Sequence, residues 1–136
     1  MNLPCPTLAI ILPCYNEEAV LPSTLTAISE LLRQLKKERR IAEESFVLYV
    51  DDGSKDTTWR LTEEAHAEDP SSRGLKLAAN AGHQNALMAG MLHVREEVDC
   101  CITIDADLQD DITVIPQMLD RFAAGAVIVY GAYCKR

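Results

Sequence analysis

The chain has 136 residues, 48% hydrophobic and 25% charged, which reads as one domain large enough to bury roughly two-thirds of its unfolded surface. Lys and Arg number 13 against 21 Asp and Glu, a formal net charge of -8 that excludes nonspecific nucleic-acid binding, because phosphate neutralisation needs clustered cations. The 5 cysteines show no C-x-x-C spacing and read as small buried apolar residues of a reducing cytoplasm.

Taken in chain order, apolar runs and helical patterns alternate. Met1 to Thr7 lacks the charged start of a signal peptide. The first expected strand, Leu8 to Leu12, stops at Pro13 and is far too short to span a membrane. The expectation is therefore a chain soluble in the cytoplasm, with any membrane segment confined to a longer parent protein. A helix is expected from about Glu17 to Glu38, where Val20, Leu21, Leu25, Ile28, Leu31, Leu32 and Leu35 keep a helical period. Pro22 falls in its first turns, where a missing N–H is tolerated. The basic cluster Arg33 to Arg40 reads as the solvated end of that helix.

The second strand is expected at Phe46 to Val50, followed by a helix from Thr57 to Glu68 that ends before Pro70. A third strand, Leu75 to Ala78, precedes a helix from His83 to about Glu96. A fourth, Cys100 to Ile104, is continuously apolar and β-branched, the pattern of a strand buried on both faces. A helix over Ile112 to Ala123 and a fifth strand, Ala126 to Tyr130, complete the series. This order predicts an α/β fold with a mostly parallel, Rossmann-like sheet and helices on both faces. The whole chain, 1–136, is expected to be one domain, and its stop shortly after the last strand reads as the end of a fragment.

Strand exits carry the unusual chemistry. After the first strand come Tyr15, Asn16, Glu17 and Glu18; Asn16 can cap the helix and the two glutamates favour its positive end. Tyr15 is left over, suited either to packing or to stacking on a nucleobase. The second exit reads Asp51-Asp52-Gly53-Ser54-Lys55-Asp56-Thr57-Thr58, in which Gly53 permits a tight turn and Asp56 or Thr57 caps a helix. One of the two leading aspartates is then surplus and can accept a proton from a base N–H or a ribose hydroxyl. At the third exit, Gly82 lets a helix N-terminus approach a phosphate or neighbouring backbone, and His83 either caps or touches a ligand. His66 and His93 have no evident partners, and Trp59 reads as core. Ala86, Ala89 and Gly90 recur as a tightly packed helix face.

The fourth exit, Asp105-Ala106-Asp107-Leu108-Gln109, sets carboxylates at the end of a buried strand, which is costly unless a cation meets them. Hard oxygen ligands (Asp107, Asp105 and the Gln109 carbonyl) suit Mg2+ or Mn2+, ions that bring substrate phosphates with them. An acidic turn capping the next helix is the structural alternative. The chain has no G-x-x-x-x-G-K-[ST], no G-x-G-x-x-G after the first strand and no G-x-S-x-G, which excludes P-loop, dinucleotide-dependent and α/β-hydrolase chemistry.

Together ILPCYNEE, VDDGSKDTT, NAGHQNALMAG and IDADLQDD resemble the family 2 glycosyltransferases with a GT-A fold, in order and over nearly the whole chain. The subgroup is similar to polyprenyl-phosphate sugar transferases such as dolichol-phosphate mannosyltransferase and bactoprenol glucosyltransferase. The resemblance implies the nucleotide-sugar-binding half of an inverting enzyme that moves a hexose from UDP or GDP to a polyprenyl phosphate at the cytoplasmic membrane face. A saccharide acceptor is the rival within the class, and a non-catalytic nucleotide-binding module the rival outside it. By the same resemblance Pro13, Tyr15 and Glu17 line the base and ribose, and Val50 and Asp52 hold the base. Asp105 and Ala106 meet the nucleotide, while Asp107 and Gln109 stand nearest the Mg2+ or Mn2+. The catalytic residues belong to an acceptor half without counterpart here, as do any membrane-binding segments. Ala79 and Tyr133 stand where relatives commonly carry basic residues, and Asp111 and Ile112 where they commonly carry two prolines. A receiver domain is disfavoured because the acidic pair follows the second strand.

Overall fold

The run LAIILPC carries no charge, and in the computed structural model it forms β1 (Leu8–Cys14), buried along its whole length. The structure describes residues 5–108 and 111–128. After β1 come α1 (Leu21–Lys37), β2 (Phe46–Asp51), α2 (Thr58–Glu68), β3 (Ser72–Lys76), α3 (His83–Val94), β4 (Cys100–Thr103), a 3-10 turn (Ile112–Val114) and α4 (Ile115–Ala123). A strand with no polar face must be covered on both sides, and β1 lies inside a parallel sheet of order β3-β2-β1-β4.

Alternation then sorts the core. Leu8, Ile10, Leu12, Val47 and Tyr49 face one side, against Leu21, Ile28, Leu32 and Leu35 of α1 and Ile115 and Leu119 of α4. Ala9, Ile11, Phe46, Leu48 and Val50 face the other, against Ala86 and Val94 of α3. The expected α/β architecture with helices on both faces is what the chain adopts. Gly90 lets α3 sit close to the sheet: a Cβ there would lie 2.8 Å from Ile11 Cγ2 and 2.9 Å from Val50 Cγ2. Arg40, from the expected solvated cluster, instead pins the end of α1 to α4, with 2.6 Å to Asp120 Oδ1 and 2.8 Å to the Pro116 carbonyl.

Several expectations need correction. Helix α1 begins at Leu21 rather than Glu17, and no side chain caps it. Strand β3 starts at Ser72, three residues earlier than the apolar run suggested. Strand β4 is not buried on both faces: Cys101 and Thr103 are exposed, and β4 lies at the end of the described sheet. The cysteines differ accordingly, with Cys14 buried, Cys5 and Cys100 half-buried and Cys101 exposed. Trp59 is half-buried, packed over Gly74 and 5.7 Å from Lys76 Nζ, rather than in the core. His66 does have a partner, the Ser72 carbonyl at 2.8 Å. Ala126 to Ile128 form no strand, and the rest of the expected fifth strand lies outside the described residues, as does Tyr133.

Candidate functional site

A parallel sheet brings all its strand exits to one edge. At that edge the β1 exit is braced by the β2 exit. The Asn16 amide donates to Ser54 Oγ at 2.9 Å, and its side chain accepts from the Lys55 amide at 2.8 Å. This cross-chain turn holds Asn16 at a positive φ of 51°. The Glu17 amide donates to Thr58 Oγ1 at 2.9 Å, and Glu18 Oε2 accepts from the Thr57 amide at 3.0 Å. Asn16 and Glu18 thus serve the start of α2, not α1 as their spacing suggested. Asp56 Oδ1 accepts from the Thr58 amide at 2.9 Å, but Asp56 stands one residue before the N-cap of α2, which is Thr57 and makes no side-chain capping bond, so the expected cap is not formed.

The adjacent aspartates at the β2 exit divide two tasks. Asp51 Oδ1 accepts from the Ser54 amide at 3.1 Å and closes the turn that Gly53 makes at a φ of +70°. Asp52, only 3% exposed, turns to the β3 exit. Its Oδ1 accepts from the Ala81 amide at 2.6 Å, and its Oδ2 from the Gly82 amide at 3.1 Å and from Asn80 Nδ2 at 3.3 Å. Residues 80–82 are therefore strapped to β2, and Gly82 leads directly into α3.

A cleft of about 190 Å3 opens there, lined by Pro13, Cys14, Tyr15, Glu17, Asp52, Asn80, Gly82 and His83. Tyr15 is 44% exposed, and its ring is available for stacking. The Cys14 thiol is no nucleophile: burial, with Glu17 and Asp51 beside it, pushes it up to about 12. Across the mouth His83 Nε2 stands 3.6 Å from Asp105 Oδ1. Partial burial, then the charges of Asp107, Asp56 and Asp105, raise the Glu17 carboxyl above its ordinary 4.5. The β1 and β4 exits thus share one negative field.

The structure brings together Pro13, Tyr15, Glu17 and Asp52 around the cleft, with Asp105 and Asp107 beside it. Two expected residues have other surroundings. The Val50 side chain is fully buried in the α3-side core. Ala106 is 2% exposed, and its carbonyl accepts from Thr24 Oγ1 at 2.5 Å, so it anchors the β4 exit to α1. Gln109 lies outside the described residues. Sequence reasoning missed Asn80 and the strap; their partners in Asp52 lie 28 to 30 residues away, beyond any local pattern.

Among the described residues no three His, Cys, Asp or Glu side chains gather closely enough to hold a metal alone. Asp105 and Asp107 carry hard carboxylate oxygens, the donor type an oxygen-seeking divalent ion takes, and after burial their charges help raise the neighbouring Glu17 carboxyl. Such an ion completes its shell with water and substrate phosphates rather than an all-protein cage.

Comparison with known proteins shows the family and the fold. The model of the family described as glycosyl transferase family 2 matches residues 9–136. The uncharacterized glycosyltransferase YkoT of Bacillus subtilis (strain 168) is 48% identical over 131 residues, covering 96% of this chain and 39% of YkoT. The undecaprenyl-phosphate 4-deoxy-4-formamido-L-arabinose transferase of Pseudomonas fluorescens (strain SBW25) is 37% identical over 127 residues, 93% of this chain and 35% of that protein. The chain thus spans well under half the length of the curated relatives it matches. Among solved structures, the mannosyltransferase PcManGT from Pyrobaculum calidifontis, in complex with GDP-Man and Mn2+, superposes with a TM-score of 0.61 at 22% identity. That match covers 76% of this chain and 28% of PcManGT, and the likeness is one of fold, that of GT-A glycosyltransferases.

Proposed function

The chain belongs to glycosyl transferase family 2, and we propose that it is the donor-binding part of an inverting, metal-dependent hexosyltransferase acting on a polyprenyl phosphate. The observation that carries the reading is the convergence of Tyr15, Glu17, Asp52 and His83 on one cleft, with Asp105 and Asp107 beside it. The donor is a UDP- or GDP-sugar. Tyr15 stacks on its base, Glu17 and Asp52 border the nucleoside, and the β4 exit faces the diphosphate.

Asp107, with Asp105, would hold a Mg2+ or Mn2+, and Gln109 is the third residue assigned to it by sequence. When bound, that ion neutralises charge developing on the departing nucleoside diphosphate. His83, at the first turn of α3, offers the diphosphate a positive helix end and an imidazole N–H. The polyprenyl phosphate acceptor is already ionised at neutral pH, so attack at the anomeric carbon asks no base of these residues. A saccharide hydroxyl would need one. The lipid acceptor is further supported by the undecaprenyl-phosphate transferase among the relatives. Among the described residues no helix is long and apolar enough to cross a membrane.

The test is transfer of a radiolabelled hexose from UDP- and GDP-sugars, with Mn2+, by the protein that contains this chain. Label passing into the organic phase with undecaprenyl phosphate is expected. Label entering only an added oligosaccharide would establish the saccharide reading. No transfer to either acceptor would contradict both.

A further inference from the structure

A threonine inside a helix commonly returns its hydroxyl to the carbonyl one turn back, and Thr26 and Thr62 do so, to Pro22 and Thr58. Thr24 does not. Its Oγ1 donates at 2.5 Å to the Ala106 carbonyl, 82 residues further along the chain. Thr24 is 1% and Ala106 2% exposed, so bulk water cannot take the place of that hydroxyl. The bond falls between two carboxylates, those of half-buried Asp105 and exposed Asp107. A peptide unit is planar, and fixing the Ala106 oxygen fixes the plane to which the Asp107 N–H and Cα belong. Leu108 follows at a φ of +54°, costly for a branched side chain, and its amide closes a turn on the Asp105 carbonyl at 3.1 Å. Such a turn persists only where its surroundings impose it. Its anchors are the Thr24 bond and the Leu108 side chain, packed on the α1-side core. Helix α1 is in turn founded on the cleft, because the Glu17 carbonyl accepts from the Val20 and Leu21 amides at 3.1 and 2.8 Å. Thr24 therefore ties the β4 exit to the β1 exit.

We infer that Thr24 is a positioning residue for the divalent-ion site, its hydroxyl setting the β4 exit so that Asp105 and Asp107 can serve one ion. The inference rests on the donor-site reading above. Thr24 is buried away from the ligand and acts only through the Ala106 peptide. Groups that orient the ligands of a metal contribute roughly tenfold or more to its affinity.

Thr24→Val keeps the shape and removes the donor, while Thr24→Ser keeps the donor. Ile28→Val trims the same buried face of α1 one turn on and leaves the hydroxyl in place. Calorimetric titration of UDP and GDP with Mn2+ should show roughly tenfold weaker binding in Thr24→Val than in the parent chain. Thr24→Ser should recover most of that loss, and Ile28→Val should bind as the parent does, a split that a merely structural role would not produce. Amide exchange supplies a readout without ion or nucleotide: the Leu108 N–H should exchange faster in Thr24→Val. Thr24→Ala, which also lacks the donor and favours the helix, serves in both measurements if Thr24→Val does not fold. Parent-like affinity without the donor, a loss that Thr24→Ser shares in full, or an equal loss in Ile28→Val would overturn the inference and leave the donor site standing. Binding of neither nucleotide to the parent chain would overturn the donor-site reading, and the inference with it.

Discussion

His83 Nε2 and Asp105 Oδ1 lie 3.6 Å apart, joining the first turn of α3 to the exit of β4 across the cleft mouth. Both side chains are about half exposed, at 55% and 51%, and an exposed pair contributes only about 0–1 kcal/mol. His83→Ala should therefore change unfolding free energy by less than about 0.5 kcal/mol. The contact matters for the ligand instead. Titration of Mg2+ and UDP should move the His83 ring resonances in NMR spectra as Asp105 changes partners. A ring signal indifferent to saturating ligand would contradict a diphosphate site at this mouth.

Much of the fold was legible in the residues, and the physical reason is local. The alternation of α1, whose buried positions are Leu21, Thr24, Ile28, Leu32 and Leu35, is written in its own period. The unbroken apolar run of β1 likewise announces a central strand. What escaped was decided at a distance. Cys100 to Thr103 looks like β1 in composition, but composition does not say whether a neighbour covers the outer face, and Cys101 remains exposed. Asn16 and Glu18 have capping chemistry at capping distance from α1, yet a partner 39 residues away takes each of them. At the site, Asp52 was recognisable as surplus to its own turn. Its commitment to residues 80–82 required knowing that β3 lies beside β2.

Gly53 is where that strap is most sensitive. Its φ of +70° disfavours any side chain, and a Cβ would strike the backbone of Ala79 and Asn80. Gly53→Ala should cost more than about 1 kcal/mol in denaturant unfolding. It should also speed amide exchange at Ala81 and Gly82, whose N–H groups Asp52 holds. Unaltered stability with unaltered exchange would show that the turn and the strap are not in contact.

Glu17 gives the pH dependence its sign. Burial and the charges of Asp107, Asp56 and Asp105 raise its carboxyl above 4.5, so between that value and its folded value the native state binds more protons than the unfolded one. Its contribution to stability therefore falls as pH climbs through that window. Glu17→Gln removes the loss and should melt no lower than the parent at about pH 7, with its relative advantage shrinking towards about pH 4. Asp69, whose carboxyl Ser71 holds below 3.8, loses stability in acid in both proteins and cancels in the comparison. A variant that melts lower than the parent by the same margin at both pH values would contradict the shared negative field.

The central claim is that the exit of β4 binds a nucleoside diphosphate through a divalent ion, and Asp107 tests it most directly. The residue is exposed, so Asp107→Ala should leave the circular dichroism spectrum and melting temperature unchanged. Calorimetric titration of UDP and GDP, with and without Mn2+, should show binding to the parent chain only with metal. That binding should weaken by at least about tenfold in Asp107→Ala. Equal metal-dependent affinity in the two proteins would contradict the account.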